Sequence, residues 1–373
     1  MRILLVRLRP IGDVVFTTPI LSALRRHYSE AHLSYVVEPD AAPIVDGNPH
    51  INELIVVPRR RGLARIADDV RMAKQLARGR YDLAIDLHGG PRSAWLTWAS
   101  RAPRRIGYTI PGRSWMYTDV VQRSRQLTPR HSVMNQWDLL APLDIPPLDP
   151  ARDPLQMPDS FQAARSIDGF LAQSRVDRGD ALIVIHVSAS TRFKRWPEDS
   201  FVSLVTRLVR QGTHRKVFFT SGPSDAEAAQ RIADATRKAL GPLATAILES
   251  RQLTLPELRA LVMRAALFVG GDSGPVHIAA TTSVPIVELL GPTLPERSFP
   301  WRDPSFYSEI IDPGELPCRP CHQRTCVPGD FRCLTSIGPD RVLAAAERAL
   351  RSTTRIGKDA APAPNERRIP VVH

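Results

Sequence analysis

The chain has 373 residues, of which 43% are hydrophobic and 24% are charged, a composition typical of a soluble protein long enough for two domains. It contains no run of about 18 apolar residues, and its first apolar stretch leads directly into Arg7 and Arg9, so we expect a cytoplasmic protein without a membrane span or signal peptide. The net charge of +12 is compatible with nucleic acid, an anionic membrane surface or an anionic substrate, and does not choose among them.

Strand-like and helix-like segments alternate in the first part of the chain. Apolar runs predict strands at residues 2–8, 33–37, 53–57 and 81–87, and helix-like patterns predict helices at residues 13–27 and 63–78. This alternation is typical of a parallel sheet covered by helices on both faces. We predict a first Rossmann-like α/β domain over residues 1–155.

A proline-rich segment separates this domain from a second one. Six prolines lie between residues 140 and 160, a density that stiffens the backbone and predicts a linker. The alternation then resumes, with predicted strands at residues 181–187, 217–220, 267–269 and 285–290 and predicted helices at 197–210, 224–240, 255–265 and 274–282. We assign a second α/β domain to residues 161–337, a C-terminal helix to 338–352 and a disordered tail to 353–373.

Two doubly wound domains in succession place the carboxyl ends of their strands, where such sheets bind ligands, on either side of a cleft. The first loop at this edge is Ile11-Gly12-Asp13. A dinucleotide site needs G-x-G-x-x-G here, so the single glycine argues against a nicotinamide dehydrogenase. Asp13 either caps the following helix or presents a carboxylate to the cleft.

The loop that follows the predicted strand at residues 181–187 combines hydroxyl groups with cations. Its candidate ligands are Ser188, Thr191, Arg192 and Lys194. Such side chains can hold phosphate oxygens and neutralise the charge of a departing diphosphate. A solvated basic loop is the alternative interpretation.

A glycine-rich loop joins the predicted strand at residues 267–269 to the helix at 274–282. Its candidate residues are Asp272, Ser273, Gly274, Pro275 and His277. Glycine allows close approach of a ligand, and unpaired N–H groups at a helix start attract anions. Asp272 and Ser273 could instead only cap the helix. Thr293 lies in the Gly-Pro-Thr segment after the next predicted strand, which is a second loop at the same edge of the sheet.

Six segments form a recognisable series when they are taken together. They read R-L-x-x-I-G-D-V-V-x-T-T-P at residues 7–19, D-L-H-G-G-P-R-S at 86–93, K-R-W-P at 194–197, G-G-D-S-G-P-V-H-I-A-A at 270–280, L-L-G-P-T at 289–293 and C-R-P-C-H-Q-R-T-C at 318–326. This series resembles the bacterial heptosyltransferases of glycosyltransferase family 9, and heptosyltransferase II in particular. The segments run in order across both predicted domains.

The resemblance implies a GT-B fold, with the acceptor held by the first domain and the nucleotide-sugar by the second. It also implies an inverting transfer without a metal or other cofactor, with ADP-heptose or another nucleotide-sugar as donor and the lipopolysaccharide core as acceptor. Asp13 matches the catalytic base, and Lys194 matches the residue at the donor phosphates. By the same comparison Asp272, Ser273, Gly274 and His277 line the donor site, with Thr293 beside them.

The acceptor side has candidate residues in the first domain. Gly12, His88, Arg92 and His131 are placed where an anionic sugar acceptor could be met. A histidine in a loop is more often an ordinary surface residue, and that alternative stays open.

The four cysteines are clustered as C-x2-C-x4-C-x6-C, at Cys318, Cys321, Cys326 and Cys333. In a cytosolic protein such a cluster suggests metal or redox chemistry more than a disulfide framework. Structural zinc usually has two paired C-x2-C knuckles, and only one is present here. Zinc, an iron–sulfur cluster and free or redox-labile thiols remain open.

Three other functions compete with sugar transfer. A nucleotide-sugar epimerase has the same architecture, but it turns over its donor without an acceptor. A nucleic-acid-binding protein would explain the charge, yet no recognised module or basic–aromatic interleaving is present, so we expect no nucleic-acid partner. Peripheral docking on the anionic inner membrane also fits the charge, although no amphipathic anchor is evident in the sequence.

Overall fold

The structure is a computed structural model that describes residues 1–60, 62–123, 130–189, 191–319 and 321–359, without the side chains of 353–359. Within these residues the chain forms two parallel β-sheets, each covered by helices on both faces. No helix in this part of the chain is long and apolar enough to cross a membrane.

The first sheet has six parallel strands in the order β3-β2-β1-β4-β5-β6. They are β1 (Arg2–Val6), β2 (His32–Val37), β3 (Glu53–Val56), β4 (Leu83–Asp86), β5 (Arg104–Tyr108) and β6 (Asp119–Val121). The central strand β1 is buried on both sides, so it reads as a continuous apolar run rather than an alternating one. In its register Leu5 lies between Tyr35 of β2 and Ile85 of β4.

The second sheet has five parallel strands in the order β11-β10-β9-β7-β8. They are β7 (Ala181–His186), β8 (Arg215–Thr220), β9 (Leu267–Gly271), β10 (Ile286–Leu289) and β11 (Ser308–Ile311). The chain reverses its winding direction between β8 and β9, which lie on opposite sides of β7. A crevice therefore opens at the carboxyl ends of β7 and β9.

Thirteen α-helices connect these strands in the described part of the chain. They are α1 (Ile11–Val15), α2 (Thr18–His27), α3 (Gly62–Arg78), α4 (Pro91–Ala99), α5 (Ser132–Trp137), α6 (Phe161–Gln173), α7 (Glu198–Gln211), α8 (Ala226–Leu240), α9 (Leu255–Val262), α10 (Gly274–Ala279), α11 (Pro295–Ser298), α12 (Arg332–Thr335) and α13 (Pro339–Asp359). The largest apolar cluster includes Phe16 of the first domain and Val276 of the second, so one continuous core joins the two.

The predicted helix at residues 13–27 is wrong in one respect, because it is divided into α1 and α2. Pro19 lacks the N–H that would continue the hydrogen bonding. The Thr18 hydroxyl instead donates to the Val15 carbonyl at 2.8 Å, and the Thr17 hydroxyl donates to the Val14 carbonyl at 2.7 Å. This break lets α1 stand as a separate short helix at the mouth of the cleft.

The prediction for the C-terminal region is also corrected. The last helix α13 continues to Asp359, beyond the predicted end at residue 352, because no proline interrupts it before Pro362. It packs on α7 and on the second sheet, and so belongs to the second domain. The rest of the predicted disordered tail, residues 360–373, lies outside the described residues.

Candidate active site between the two domains

A cavity of about 600 Å³ lies where the two domains meet. Loops after β1, β7, β8, β9 and β10 line it, together with the start of α5. All five loops leave the carboxyl ends of parallel strands, which is where doubly wound sheets bind their ligands.

The first domain contributes an oriented carboxylate, that of Asp13. Arg7, almost fully buried at the end of β1, forms a salt bridge with Asp13 and donates a second hydrogen bond to the Leu87 carbonyl. The Asp13 side chain keeps 30% of its surface exposed and lines the cavity. Asp13 is not the cap of α1, because Pro10 occupies that position and no side-chain cap hydrogen bond forms. The carboxylate is therefore held in the cavity by a buried cation.

The second domain contributes a cation, Lys194, held by Asp272. The Lys194 ammonium lies 2.6 Å from the Asp272 carboxylate, which also accepts hydrogen bonds from Thr293 at 2.5 Å and Ser298 at 2.7 Å. Burial alone would raise the pKa of Asp272, but Lys194, the nearby His277 and these hydrogen bonds hold it below its ordinary value. Asp272 is therefore ionised and fixes the position of Lys194.

His277 lies behind this pair on α10. Its ring is buried, and burial lowers the pKa of His277 to about 4 against the opposing influence of Asp272 and Asp13. The imidazole is therefore neutral at neutral pH. Its Nδ1 atom is buried and has no hydrogen-bond partner within the described residues.

Two glycines allow the domains to touch at the cavity. A Cβ atom on Gly12 would lie 2.8 Å from the Cδ2 atom of His277, and one on Gly274 would lie 3.0 Å from the Cγ2 atom of Ile11. The short helices α1 and α10 consequently pack directly against each other. This contact brings Asp13 and the Lys194–Asp272 pair to the same cavity.

A loop after β8 supplies a further wall. Residues 220–225 line the cavity, and the Ser188 hydroxyl accepts a hydrogen bond from the Gly222 N–H at 2.9 Å. Arg195 and Asp225, 2.7 Å apart, tie the Lys194 loop to this one. The wall continues through three leucines with Arg251 beside them, namely Leu253, Leu255 and Leu258. An apolar wall of this kind can receive a flat ring such as a nucleotide base.

Comparison with known proteins now decides the family. The sequence model of glycosyltransferase family 9 (heptosyltransferase) matches residues 70–330, well over half of the chain. The chain belongs to glycosyltransferase family 9. It is therefore a glycosyltransferase, as the resemblance of its motifs implied.

The similarity of this glycosyltransferase to individual relatives extends over nearly its whole length. Lipopolysaccharide heptosyltransferase 3 of Escherichia coli is 28% identical over 92% of this chain and 97% of its own. Lipopolysaccharide heptosyltransferase 1 of Pseudomonas aeruginosa is 27% identical over 87% of each chain.

Two solved structures share the fold. The family 9 glycosyltransferase of Veillonella parvula superimposes with a TM-score of 0.80 at 25% identity, covering 94% of this chain and 97% of its own. The ADP-heptose lipopolysaccharide heptosyltransferase II of E. coli gives 0.75 at 21% identity, covering 95% and 100%. The predicted GT-B arrangement of two Rossmann-like domains is confirmed.

Ten of the residues predicted for the glycosyltransferase site line the cavity. They are Gly12, Asp13, Ser188, Lys194, Asp272, Ser273, Gly274, Pro275, His277 and Thr293. Asp13 and Lys194, however, each pair within their own domain, with Arg7 and Asp272, rather than with each other.

Two residues predicted to bind the donor do not line the cavity. The short 3-10 turn Arg192–Lys194 directs Lys194 inward and Arg192 outward, where its guanidinium lies 5.1 Å from the ring centre of Phe331. Thr191 precedes this turn and likewise stays outside the lining. Their contact with the donor stays a prediction.

Arg92 and His131, predicted as acceptor ligands, also lie outside the cavity lining, and their contact with an acceptor stays a prediction. Arg92 is largely buried, and its guanidinium binds Glu38 at 3.0 Å and Asp69 at 2.6 Å, so it is committed to the first domain. His131 is buried and packs on Phe299 across the domain interface. His88 is half-buried near Arg7 outside the cavity lining, and burial, followed by the Arg7 charge, lowers its pKa.

None of the four cysteines lines this cavity, but Gln323 of the same loop does, and its N–H donates to the Cys321 Sγ atom at 3.3 Å. All four thiols are free, and burial followed by the three other cysteines raises the pKa of Cys333 to about 11. In the described part of the chain no three His, Cys, Asp or Glu side chains are grouped as a metal site requires.

Sequence reasoning missed Arg7, Arg251 and the loop at residues 220–225. Arg7 stood in the R-L-x-x-I-G-D segment, where a basic residue after an apolar strand was a usable signal. The loop after β8 consists of small residues and one acidic residue, Asp225, a composition that does not single it out.

Proposed function

We propose that this glycosyltransferase transfers a heptose from ADP-heptose to the lipopolysaccharide core, with inversion at the anomeric carbon. The observation that carries this proposal is the convergence of two pairs on one cavity: Arg7 with Asp13 from one domain and Lys194 with Asp272 from the other. The names of the relatives supply the donor and the acceptor.

Asp13 acts as the catalytic base in this proposal. An acceptor hydroxyl oxygen attacks the anomeric carbon of the donor, and its proton passes to the Asp13 carboxylate as the new C–O bond forms. A positioned base contributes typically about 10²–10⁴-fold to such a step. Arg7 orients the carboxylate so that one oxygen stays available to the acceptor.

Lys194 stabilises the leaving group. As the bond between the anomeric carbon and the phosphate oxygen breaks, the negative charge on the nucleoside diphosphate grows, and a fixed ammonium stabilises it. Asp272 does not contact the diphosphate, because two anions would repel, and acts as a positioning residue for Lys194. The apolar wall of Leu253, Leu255 and Leu258 is the proposed site of the adenine ring. With these protein groups the transfer requires no added divalent metal.

The donor and the reaction type are tested together with purified protein. ADP-, GDP-, UDP- and dTDP-sugars are screened for binding, and the bound donor is incubated with and without a lipopolysaccharide core acceptor. We expect ADP-heptose to bind, product to form only with the acceptor, and EDTA to leave the rate unchanged. An epimerised sugar formed from the donor alone would establish the epimerase instead.

We also propose that the reaction takes place at the cytoplasmic face of the inner membrane, with the enzyme bound peripherally. A lipid-linked acceptor lies at that surface, and the net charge of +12 favours an anionic one. Activity recovered wholly in the soluble fraction after gentle lysis at low salt would contradict this location.

A further inference from the structure

The first domain carries exposed apolar side chains that the proposed reaction does not use. Helix α3 buries Met72 and Leu76 against the sheet, yet Leu63 is 83% exposed, Ile66 is 60% exposed and Val70 is 44% exposed. Spacings of three and four residues place these side chains on one stripe of the helix. The stripe faces away from the domain core.

Two tryptophans lie in the elements packed beside α3. Trp98 at the end of α4 is 44% exposed, and Trp115, in the 3-10 turn Ser114–Met116, is 64% exposed. Their ring centres are 5.8 Å apart, and the Trp115 indole N–H donates to the Gly112 carbonyl at 3.2 Å. Because α3 packs on α4 and α4 packs on this turn, the elements form one side of the domain. We call this the outer surface, defined by Leu63, Ile66, Val70, Trp98 and Trp115.

The exposed charges of α3 are all positive. Its exposed ionisable side chains are Arg65, Arg71, Lys74 and Arg78. Its two carboxylates are largely buried and pair with arginines of the same helix, Asp68 with Arg71 at 3.0 Å and Asp69 with Arg65 at 3.6 Å. Lys74 and Arg78 form no ion pair with the described residues of the helix. An apolar stripe bordered by cations is complementary to a partner that has an anionic surface and an apolar interior.

We propose that the outer surface docks the enzyme on an anionic phospholipid bilayer. Aliphatic side chains and indole rings partition into the headgroup boundary, and Arg and Lys meet the lipid phosphates. This mode of binding places the protein on the bilayer surface without spanning it.

The position of the outer surface suits a membrane-borne acceptor. Arg92, at the start of α4 and the cleft edge, donates to the Pro58 carbonyl at 3.0 Å, and α3 begins shortly after Pro58. The end of α3 that carries Leu63 and Ile66 is therefore the end nearer the cleft. Docking at this surface gives a location to the peripheral binding proposed above, and presentation of the acceptor rests in addition on the proposed transfer reaction.

The test is sedimentation of the full chain with vesicles, without donor or acceptor. Wild-type protein is expected to bind vesicles of phosphatidylcholine mixed with phosphatidylglycerol, and to bind pure phosphatidylcholine more weakly. The double variant Leu63→Ser/Ile66→Ser should lower the partition coefficient by about tenfold or more. Lys74→Gln/Arg78→Gln should remove most of the preference for the anionic vesicles.

A matched control comes from exposed apolar residues of the second domain. Phe161 is 76% exposed and Val327 is 90% exposed, and Phe161→Ser/Val327→Ser should bind vesicles as the wild type does. All three double variants replace exposed side chains, so each should keep the wild-type melting temperature. Heptosyl transfer to a detergent-solubilised acceptor should be unchanged in the Leu63→Ser/Ile66→Ser variant.

Three results would overturn the docking proposal. These are wild-type protein that stays in the supernatant, a Leu63→Ser/Ile66→Ser variant that binds as tightly as wild type, and a dimer that this variant dissociates in light scattering. The last would make the outer surface an interface between copies. Intact vesicle binding in a protein without transferase activity would instead count only against the proposed function.

Discussion

Lys194 is a cation of the cavity wall whose position is fixed by an ion pair. Asp272 holds its ammonium at 2.6 Å, and hydrogen bonds from Thr293 and Ser298 hold Asp272 in turn. Lys194 and Asp272 therefore have different roles in the donor site. Lys194 meets the leaving group, while Asp272 determines where Lys194 lies.

The two roles predict different kinetic losses. Lys194→Gln removes the charge that meets the departing diphosphate, so we expect kcat to fall by about 10²–10³-fold. Asp272→Asn keeps the charge of Lys194 but no longer holds its ammonium in position. We therefore expect kcat to fall less than in Lys194→Gln and KM for the donor to rise.

Steady-state kinetics with the donor varied separates these effects. Lys238→Gln, at an exposed lysine on α8, is the matched control and should behave as wild type. A loss in Asp272→Asn that equals or exceeds the loss in Lys194→Gln would contradict the division of roles.

The sequence predicted the position of some site residues better than that of others. Asp13 and Lys194 follow strand ends in a parallel sheet, and topology alone puts such loops at one edge. Arg92 also follows a strand, yet Glu38 and Asp69 reach it from distant segments and neutralise it. Pairing between distant segments leaves no local pattern, so sequence reasoning could not exclude Arg92 from the site.

Contact between α1 and α10 is the element-level feature that assembles the cavity. Each helix has a glycine at the contact, and a Cβ on Gly12 would lie only 2.8 Å from the His277 ring. Because His277 is buried, the ring has little room to move away.

Gly12→Ala is therefore expected to separate the two helices and to impair catalysis. A misplacement of about 1 Å can reduce activity by about 10²-fold, so kcat/KM should fall by at least tenfold. Donor affinity should change less, because most proposed donor contacts come from the second domain. Gly169→Ala on α6 is the matched control, since its Cβ meets nothing within 4 Å. Equal kcat/KM values for Gly12→Ala and wild type would refute the role of the close contact.

Most strands and helices could be predicted from the sequence, and the misses have physical causes. β5 begins with Arg104 and Arg105, which conceal its apolar half, and β6 is only three residues long. The exposed stripe of α3 was not predicted, because Leu63, Ile66 and Val70 have the spacing expected of the buried face of an amphipathic helix. Only the packing shows that α3 buries a different face.

At the scale of the whole molecule, His131 joins the two domains. Its Nε2–H donates to the Phe299 carbonyl at 2.9 Å, and its Nδ1 accepts from the Val133 N–H at 3.1 Å. The bond from Val133 requires the neutral ring, because a protonated Nδ1 atom cannot accept a hydrogen bond. Burial, followed by the influence of His277, lowers the pKa of His131 to about 3.

The depressed pKa predicts loss of stability in acid. The unfolded chain binds a proton as the pH falls through 6.5, whereas folded His131 stays neutral until about pH 3. Stability from this group is therefore present above pH 6.5 and is lost as the pH falls, by about 1.4 kcal/mol per pH unit within that window.

His131→Asn isolates this contribution. Asparagine does not titrate, and its side-chain oxygen can still accept from the Val133 N–H. Because the variant loses the hydrogen bond to the Phe299 carbonyl, it should be less stable at neutral pH by about 1–3 kcal/mol. The free energy of unfolding in urea should then depend less steeply on pH between neutrality and about pH 5 than it does in wild type. Parallel pH profiles for the two proteins would contradict this origin of acid sensitivity.

The most direct test of the whole account is the kinetics of Asp13→Asn with donor binding measured on the same protein. The substitution keeps the size of the side chain and a hydrogen-bonding oxygen near Arg7 but removes the base. The account predicts ADP-heptose binding within a small factor of wild type and a fall in kcat of about 10²–10⁴-fold. Turnover that stays at the wild-type level would contradict it.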